Sequence, residues 1–163
     1  MRLCEFEAKA LMQGHGIPIP RGNLVNGALA EAAWPAGGVA KAQLLSGGRG
    51  KSGLVRMADT ADALAREVEA LRSRLESEGK PAAILVEEKL DIAAEYYLSF
   101  VIDDVLQRSL LLFSRNGGVD IEAAGDAVRS FPVDPLIELR PHHLLRFFQD
   151  AGVSGDIRQD LRR

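Results

Sequence analysis

The most constraining feature of this sequence is a glycine-rich stretch at residues 46–53, SGGRGKSG, enclosed by two short apolar runs. The runs at 38–43 (GVAKAQ) and 54–58 (LVRMA) have the length and composition of β-strands. Clustered glycines let backbone N–H groups approach an anion closely, and Arg49 and Lys51 add positive charge. The pattern predicts a strand–loop–strand flap that folds over a phosphate group.

Three known phosphate-binding motifs share parts of this spacing. A Walker A loop would need a glycine at Leu45 and a helix after the loop, where a strand is predicted instead. Gly48, Gly50 and Gly53 fit the Rossmann spacing, which also requires a following helix. With Val55 they fit the kinase glycine loop in its strand–loop–strand context, but no His-Arg-Asp or Asp-Phe-Gly segment follows. A glycine flap between two strands remains, and a flexible polar hairpin without a ligand is the alternative.

Lys41 lies just before the flap, in the middle of an apolar strand. A lysine is seldom buried without a partner. One interpretation is an edge-strand lysine that points into solvent. The glycine flap immediately downstream favours the other interpretation, in which Lys41 is a phosphate ligand.

Composition sets the class of protein around this flap. The chain has 163 residues, 47% hydrophobic and 26% charged, which suits one globular domain or two small lobes. A net charge of −3 argues against a broadly basic nucleic-acid binder. No apolar run approaches the ~20 residues that span a bilayer, and the charged N-terminus is unlike a secretory signal, which indicates the cytoplasm. The single cysteine, Cys4, excludes an intrachain disulfide and is expected to be a packing residue.

Helical and strand patterns alternate along the chain without a clear domain break, which predicts an α/β or α+β class with mixed strand pairing. The best helix runs from a cap at Asp59 or Thr60 to a stop at Gly79. The other predicted helices are near 3–13, 28–34 and 142–149. The other predicted strands are near 24–25, 82–88, 95–102, 105–113 and 128–133.

Two further groups of residues are expected to be structural. His142 and His143 begin a predicted helix, on which adjacent side chains point about 100° apart and rarely ligate one ion. Tyr96, Tyr97 and Phe100 are expected to pack in the core and the hairpin rather than stack on a base. The sequence therefore predicts no metal site in this chain.

Four segments, in order along nearly the whole chain, resemble the β subunit of succinyl-CoA synthetase and related acyl-CoA synthetases such as malate–CoA ligase. They are MRLCEFEAKALMQGHGIPIPRG, KAQLLSGGRGKSG, ILVEEKLDIAAEYYLSF and SRNGGVDIE. The resemblance implies the N-terminal portion of an ATP-grasp fold, an α+β architecture in which two lobes with mixed or antiparallel sheets clamp a nucleotide. It implies that residues 20–88 form the nucleotide-binding lobe and that 1–19 with 89–163 form an incomplete second lobe.

The resemblance also implies roles for individual residues in binding ATP. Lys41 would contact the nucleotide phosphates, and Gly48, Arg49 and Gly50 would form the flap over them. On the other side of the nucleotide, Glu87 would line the adenine pocket and Leu90 would lie at the hinge. The remaining implied residues are Glu95, which would face the ribose, and Gly117, Gly118 and Glu122, in a loop near the reacting phosphate.

In this family, ATP phosphorylates a histidine of a partner α subunit, the phosphate passes to a carboxylate such as succinate, and CoA attacks the acyl phosphate. The resemblance therefore implies part of a carbon–sulfur ligase of the tricarboxylic acid cycle type, with ATP and Mg²⁺ as cofactors. Its partners would be an α subunit that carries the CoA site and the phosphohistidine, CoA and a small carboxylate, with no nucleic acid or membrane.

The family's Mg²⁺ ligands and its C-terminal domain lie beyond the end of this sequence, so the isolated chain is expected to be inactive. One alternative is a non-catalytic nucleotide-binding or subunit-docking ATP-grasp fragment. Another is ATP-grasp chemistry on a different acid, such as malate or citrate.

Overall fold

The computed structural model describes residues 2–27, 29, 34–117, 127–137 and 139–153. The chain divides into two compact units, unit 1 (Met1–Asp91) and unit 2 (Ile92–Arg163). The elements of unit 1 are α1 (Glu5–Gly14), β1 (Gly22–Val25), β2 (Gly38–Ala42), β3 (Val55–Ala58), α2 (Ala61–Ser77) and β4 (Ile84–Glu87). The elements of unit 2 are β5 (Tyr97–Asp103), β6 (Arg108–Ser114), β7 (Arg129–Val133) and α3 (Pro141–Asp150).

Unit 1 is built on a four-stranded antiparallel sheet with the order β1-β4-β2-β3. Ala40 and Ala42 of β2 pair with Val86 and Ile84 of β4, so these side chains share one face. That face packs against α2 and forms the core of unit 1. The helix residues in this core are Leu64, Val68, Leu71 and Leu75.

Helix α2 confirms the strongest helical prediction. Its four core leucine and valine positions recur every three or four residues and are at most 2% exposed. Thr60 is the N-cap, and its hydroxyl accepts a hydrogen bond of 3.2 Å from the Ala63 N–H. Beyond the helix, Gly79 adopts a left-handed φ of +65°, which favours glycine at a helix end.

Helix α1 forms where it was predicted, but its apolar side chains are not part of the buried core of unit 1. None of its residues, all of which the structure describes, is fully buried, and Leu11 is 56% exposed. Leu3, just before the helix, is also exposed. The helix contacts the sheet instead through Glu5 and Lys9, which reach Lys41 and Glu87 on the face opposite α2.

Unit 2 contains a three-stranded antiparallel sheet with the order β5-β6-β7. The strands predicted near 95–102 and 105–113 are confirmed as β5 and β6, which pair as a hairpin. The Asp103 carboxylate holds the turn by accepting hydrogen bonds from the N–H groups of Val105 and Leu106 at 3.0 and 2.7 Å. Phe113 of β6 packs edge-on against Phe148 of α3, with ring centroids 5.1 Å apart.

The aromatic residues before and within β5 divide between core and surface. Tyr96 packs on Phe113, with ring centroids 5.9 Å apart, as expected of a core residue. Phe100 is 60% exposed, so the expectation that it packs in the core is wrong. The physical reason is that α3 covers β6 and β7, and Phe100 lies on the edge strand beside them.

Two further predictions, a helix at 28–34 and the lobe assignment of 1–19, stay predictions. The helix predicted at 28–34 lies mostly outside the described residues. The assignment of 1–19 to the second lobe of a complete domain stays a prediction, and here the ion pairs of α1 are made within unit 1. Across the described ranges, no helix is long and apolar enough to cross a membrane.

Candidate functional site

Five charged side chains meet on the face of the unit 1 sheet that α2 leaves open. Lys41 pairs with Leu85, and Glu87 pairs with Val39, in the antiparallel ladder of β2 and β4. Because side chains alternate along a strand, Lys41 and Glu87 point away from α2 and lie diagonally across from each other. We call Glu5, Lys9, Lys41, Arg49 and Glu87 the charge cluster.

Lys41 is the centre of the charge cluster. Its Nζ lies 2.6 Å from Glu87 Oε2 and 3.0 Å from Glu5 Oε1. β2 is an interior strand of the sheet and the Lys41 side chain is 23% exposed, so it is not an edge-strand lysine in solvent. The partner that a half-buried lysine requires is therefore a pair of carboxylates.

Helix α1 supplies a carboxylate and an ammonium to the charge cluster. Glu5 and Lys9 are four residues apart, face the same side of the helix and form an ion pair of 2.9 Å. Lys9 also binds Glu87 Oε1. The reasoning from sequence missed both residues, although the spacing of a glutamate and a lysine by four is a readable signal of one charged helix face.

Burial and charge pairing shift the pKa values of Glu5 and Lys41 in opposite directions. Burial by itself raises the pKa of the Glu5 carboxyl, but hydrogen bonds to Lys9 and Lys41 and their charges lower it from 4.5 to about 2. Burial lowers the pKa of Lys41, while hydrogen bonds to Glu87 and Glu5 and their charges raise it above its ordinary value of 10.5. Both groups are therefore charged at neutral pH.

Glu87 is a charged residue placed where three strands approach closely. It is 2% exposed, at the end of β4 between β1 and β2. A Cβ on Gly22 would lie 2.8 Å from Glu87 Cγ, and one on Gly38 would lie 2.6 Å from the Glu87 carbonyl oxygen. Glycine at position 22 leaves the space that the Glu87 side chain occupies, and glycine at position 38 lets β2 pass close to the Glu87 backbone.

The glycine-rich loop joins β2 to β3, as the strand–loop–strand prediction requires. Gly48 adopts a left-handed φ of +76°, which favours glycine. The loop closes on itself through N–H groups of Gly53 and Leu54, which donate to the carbonyls of Gly50 and Arg49 at 3.1 and 2.9 Å. The flap is therefore a compact turn closed by its own backbone hydrogen bonds.

Arg49 ties the flap to the charge cluster. Its Nη1 donates to the Ala42 carbonyl at 2.9 Å, and its Nη2 lies 2.8 Å from Glu5 Oε2. Since Glu5 Oε1 binds Lys41, one carboxylate joins the strand lysine to the flap arginine. The structure therefore brings Lys41, Arg49 and Glu87 together, as a set, on one face of the sheet.

A buried glutamine fixes the start of α1 against the end of β2. Gln43 is 2% exposed, and its side-chain Oε1 accepts the Phe6 N–H at 3.1 Å. Its Nε2 donates to the Lys41 carbonyl at 2.9 Å. Gln43 thereby holds the helix turn that carries Glu5 beside the strand that carries Lys41.

The predicted hinge residue follows β4 on the surface of unit 1. Leu90 is 51% exposed. Beside it, Lys89 forms an ion pair of 2.7 Å with Asp59. An exposed apolar side chain three residues after a buried strand is available to contact a ligand, but no described contact defines one.

Two of the four predicted site residues of unit 2, Glu95 and Gly117, are in contact. The Gly117 N–H donates to the Glu95 carbonyl at 3.0 Å. A Cβ on Gly117 would lie 2.8 Å from the Glu95 carbonyl carbon and 2.9 Å from the Tyr96 nitrogen, so only glycine fits there without a shift. Gly118 and Glu122 lie outside the described residues.

A resident metal site does not emerge from the part of the chain that the structure describes. Those residues bring together no group of three histidine, cysteine, aspartate or glutamate side chains suited to an ion. Glu5 and Glu87, which lie in the charge cluster, are already bound by lysines. These two glutamates therefore do not fit a Mg²⁺ site.

A family model for the ATP-grasp domain matches residues 2–162. The chain belongs to the ATP-grasp domain family. Its α+β architecture and antiparallel sheets confirm the fold class predicted from sequence.

Curated relatives lie among subunits of CoA ligases. The chain is 36% identical over 167 residues to subunit SauC of an ADP-forming sulfoacetate-CoA ligase from Bilophila wadsworthia, covering 96% of this chain and 43% of the relative. It is 37% identical over 175 residues to the β subunit of an ADP-forming succinate–CoA ligase from Geobacter sulfurreducens, covering 98% and 46%. The chain therefore spans less than half the length of these relatives.

Solved structures share the fold at lower identity. A dinucleotide forming acetyl-coenzyme A synthetase 1 of Ca. Korarchaeum cryptofilum, in complex with coenzyme A, Ca-AMPCP and HgCl⁺, matches with a TM-score of 0.72 at 18% identity. The match covers 98% of this chain and 69% of that one. PH1788 from Pyrococcus horikoshii Ot3 matches with a TM-score of 0.69 at 21% identity, covering 91% and 65%.

Proposed function

We propose that this chain is the ATP-binding part of the β subunit of an ADP-forming acyl-CoA synthetase, and that Lys41 and Arg49 bind the nucleotide phosphates. One observation carries the proposal. A lysine on an interior strand and an arginine in the adjoining glycine flap converge on the two oxygens of a single carboxylate. Two cations that share one oxyanion in this way are also spaced to share a phosphate group.

The flap supports this role because its glycines allow close approach of the backbone to an anion. Gly48 and Gly50 flank Arg49, so the arginine sits where both the backbone and a guanidinium can face a phosphate. In phosphoryl transfer, the protein contributes mainly positioning and charge neutralisation. Lys41 and Arg49 are suited to both contributions.

The remaining site residues have supporting roles in this proposal. Glu87 orients Lys41 through its buried carboxylate and offers the backbone at the end of β4 to the adenine base. Leu90 contacts the base at the hinge. Glu95, kept in place by its contact with Gly117, binds the ribose.

The names of the curated relatives support the wider reaction. In the complete protein, ATP would drive the formation of an acyl-CoA from a small carboxylate and CoA, with release of ADP. We propose that a partner α subunit supplies the CoA site and the phosphorylated histidine, that Mg²⁺ is held by residues other than those described, and that the enzyme works in the cytoplasm.

The test is a calorimetric titration of the chain with ATP, for the wild type and for Lys41→Ala. Loss of binding in Lys41→Ala, with an unchanged fold by circular dichroism, is the expected result. Lys80→Ala is the matched control, because Lys80 is an exposed lysine of the same unit that pairs only locally with Glu78. Equal ATP affinity in Lys41→Ala and Lys80→Ala would contradict the assignment of the site.

A further inference from the structure

We infer that Glu5 occupies the position of a nucleotide phosphate in the unliganded chain, so that a polyphosphate must displace it from Lys41 and Arg49 in order to bind. This inference rests on the proposed function. It makes Glu5 a positioning residue that sets phosphate affinity by competing for the same two cations.

The contacts of Glu5 show why its carboxylate resembles a bound phosphate. Oε1 lies 3.0 Å from Lys41 Nζ and 2.9 Å from Lys9 Nζ, while Oε2 lies 2.8 Å from Arg49 Nη2. Arginine and lysine recognise carboxylate and phosphate oxygens with the same donor groups and similar distances. A phosphate that bridges the strand lysine and the flap arginine would therefore need the place that Glu5 now holds.

Both cations already direct donors to Glu5 and to other acceptors. Lys41 has three N–H donors and already faces the carboxylates of Glu5 and Glu87. Arg49 directs one terminal nitrogen to the Ala42 carbonyl and the other to Glu5. A phosphate group placed beside Glu5 would also bring two anions together in a half-buried site, where like charges repel more strongly than in water.

The Glu5 side chain can leave its partners while helix α1 stays tied to unit 1 by Lys9 and by the hydrogen bond from the Phe6 N–H to Gln43. None of its residues is fully buried, and its described ion pairs to the sheet run through Glu5 and Lys9. Moving the helix turn therefore opens no apolar core, which would be the main cost of displacing a helix such as α2. When a phosphate takes over Lys41 and Arg49, the released Glu5 carboxylate turns to water.

The experiment compares ligands that contain a triphosphate group with one that does not. Wild type and Glu5→Gln are titrated with ATP, inorganic triphosphate and adenosine. Glutamine keeps the size of the side chain, removes its charge and replaces one of its two acceptor oxygens by an N–H donor. We expect Glu5→Gln to bind ATP and triphosphate about tenfold more tightly, since one charge-assisted hydrogen bond corresponds to roughly one tenfold step in an equilibrium constant. Adenosine affinity is expected to stay the same.

The matched control is Glu69→Gln. Glu69 is an exposed glutamate on α2, paired with Arg72 at 2.7 Å, and its substitution removes the same charge from the same unit. If Glu69→Gln tightens triphosphate binding equally, the effect is one of net charge and the inference is overturned.

A second measurement uses the wild type alone, so that it does not depend on how Glu5→Gln folds. Amide hydrogen exchange over residues 5–14 is expected to become faster on addition of inorganic triphosphate, because α1 loses the contacts of Glu5 with Lys41 and Arg49. Slower exchange in α1 would overturn the inference, since it would mean that phosphate binding stabilises the helix while Glu5 stays in place.

The outcomes separate the inference from the proposed function. If the wild type binds ATP, Lys41→Ala does not, and Glu5→Gln binds ATP equally or more weakly, the proposed function stands and Glu5 is a support rather than a competitor. If neither the wild type nor Glu5→Gln binds ATP or triphosphate, the proposed function is overturned and the inference with it. Tighter binding of both phosphate ligands, with adenosine unchanged, supports both.

Discussion

The two faces of the unit 1 sheet are covered by helices held in opposite ways. Against α2 the sheet presents alanine, isoleucine and valine to a stripe of leucine and valine, and this interface is closed to water. Against α1 it presents Lys41 and Glu87 to Glu5 and Lys9, with no fully buried residue in the helix. The first interface stabilises the fold, and the second contains the two cations that we propose bind phosphate.

The largest loss of unfolding free energy is expected from a substitution in the apolar interface between α2 and the sheet. Leu64 is fully buried between α2 and the sheet, so Leu64→Ala is expected to lower the free energy of unfolding by about 4 kcal/mol. Leu136→Ala, at a leucine 93% exposed, is the matched control, with an expected change below ~0.5 kcal/mol. Urea denaturation measures both. Equal losses would contradict the placement of the core.

The next largest loss is expected when a carboxylate on the strand side of the charged interface is removed. Glu87→Gln leaves the ammonium groups of Lys9 and Lys41 close together without their buried partner, at an expected cost of about 3 kcal/mol in unfolding free energy. Its neighbour Glu88 has a side chain 39% exposed, and Glu88→Gln is expected to cost much less. Thermal unfolding distinguishes them. A larger loss in Glu88→Gln would show that the charge cluster is misassigned.

The charged interface should also give stability a dependence on pH that the apolar interface lacks. The pKa of Glu5 is lowered in the folded chain to about 2 from 4.5, so its contribution is complete above about pH 4.5 and disappears as the pH falls towards 2. We expect on the order of 2 kcal/mol of unfolding free energy to be lost across this range. Unfolding curves of wild type and Glu5→Gln between pH 6 and 2 measure it.

In Glu5→Gln this part of the acid dependence should be absent. Glu78→Gln is the control, because hydrogen bonds to Lys80 and Arg74 also lower the pKa of Glu78, but at a surface position outside the charge cluster. An unchanged acid profile in Glu5→Gln would show that Glu5 does not carry the pH dependence.

The smallest effect concerns the start of α2. Thr60→Ala removes the hydroxyl that accepts the Ala63 N–H and should lower the unfolding free energy by about 1 kcal/mol. Thr60→Ser, which keeps the hydroxyl, should restore most of it. ATP affinity should not change in either variant, because the cap serves the apolar interface alone; a change in affinity would mean that the two interfaces are coupled.

Sequence reasoning was most successful where one physical rule decides the structure. The leucine spacing in α2, the cap at Thr60 and the strands around the glycine flap follow local patterns, and the structure confirms them. The fold class followed from several motifs in order along the chain, and the ATP-grasp family match confirms it.

The reasoning was weakest where tertiary contacts override the local pattern. Periodicity predicted α1 but marked an apolar stripe, whereas the helix meets the sheet through Glu5 and Lys9. Phe100 has the composition of a core residue but lies on an edge strand outside the cover of α3. The partners of Lys41 could not be found without the strand register that places Glu87 beside it, because they lie far apart in sequence.

In the proposed site, Lys41 and Arg49 act together on one phosphate group. A double-mutant cycle tests it most directly: ATP affinities are measured by calorimetry for wild type, Lys41→Ala, Arg49→Ala and the double variant. Each single substitution is expected to weaken ATP binding, and the double variant is expected to lose clearly less than the sum of the two losses, since both side chains bind one phosphate. Strictly additive losses, or ATP affinity unchanged in either single variant, would contradict it.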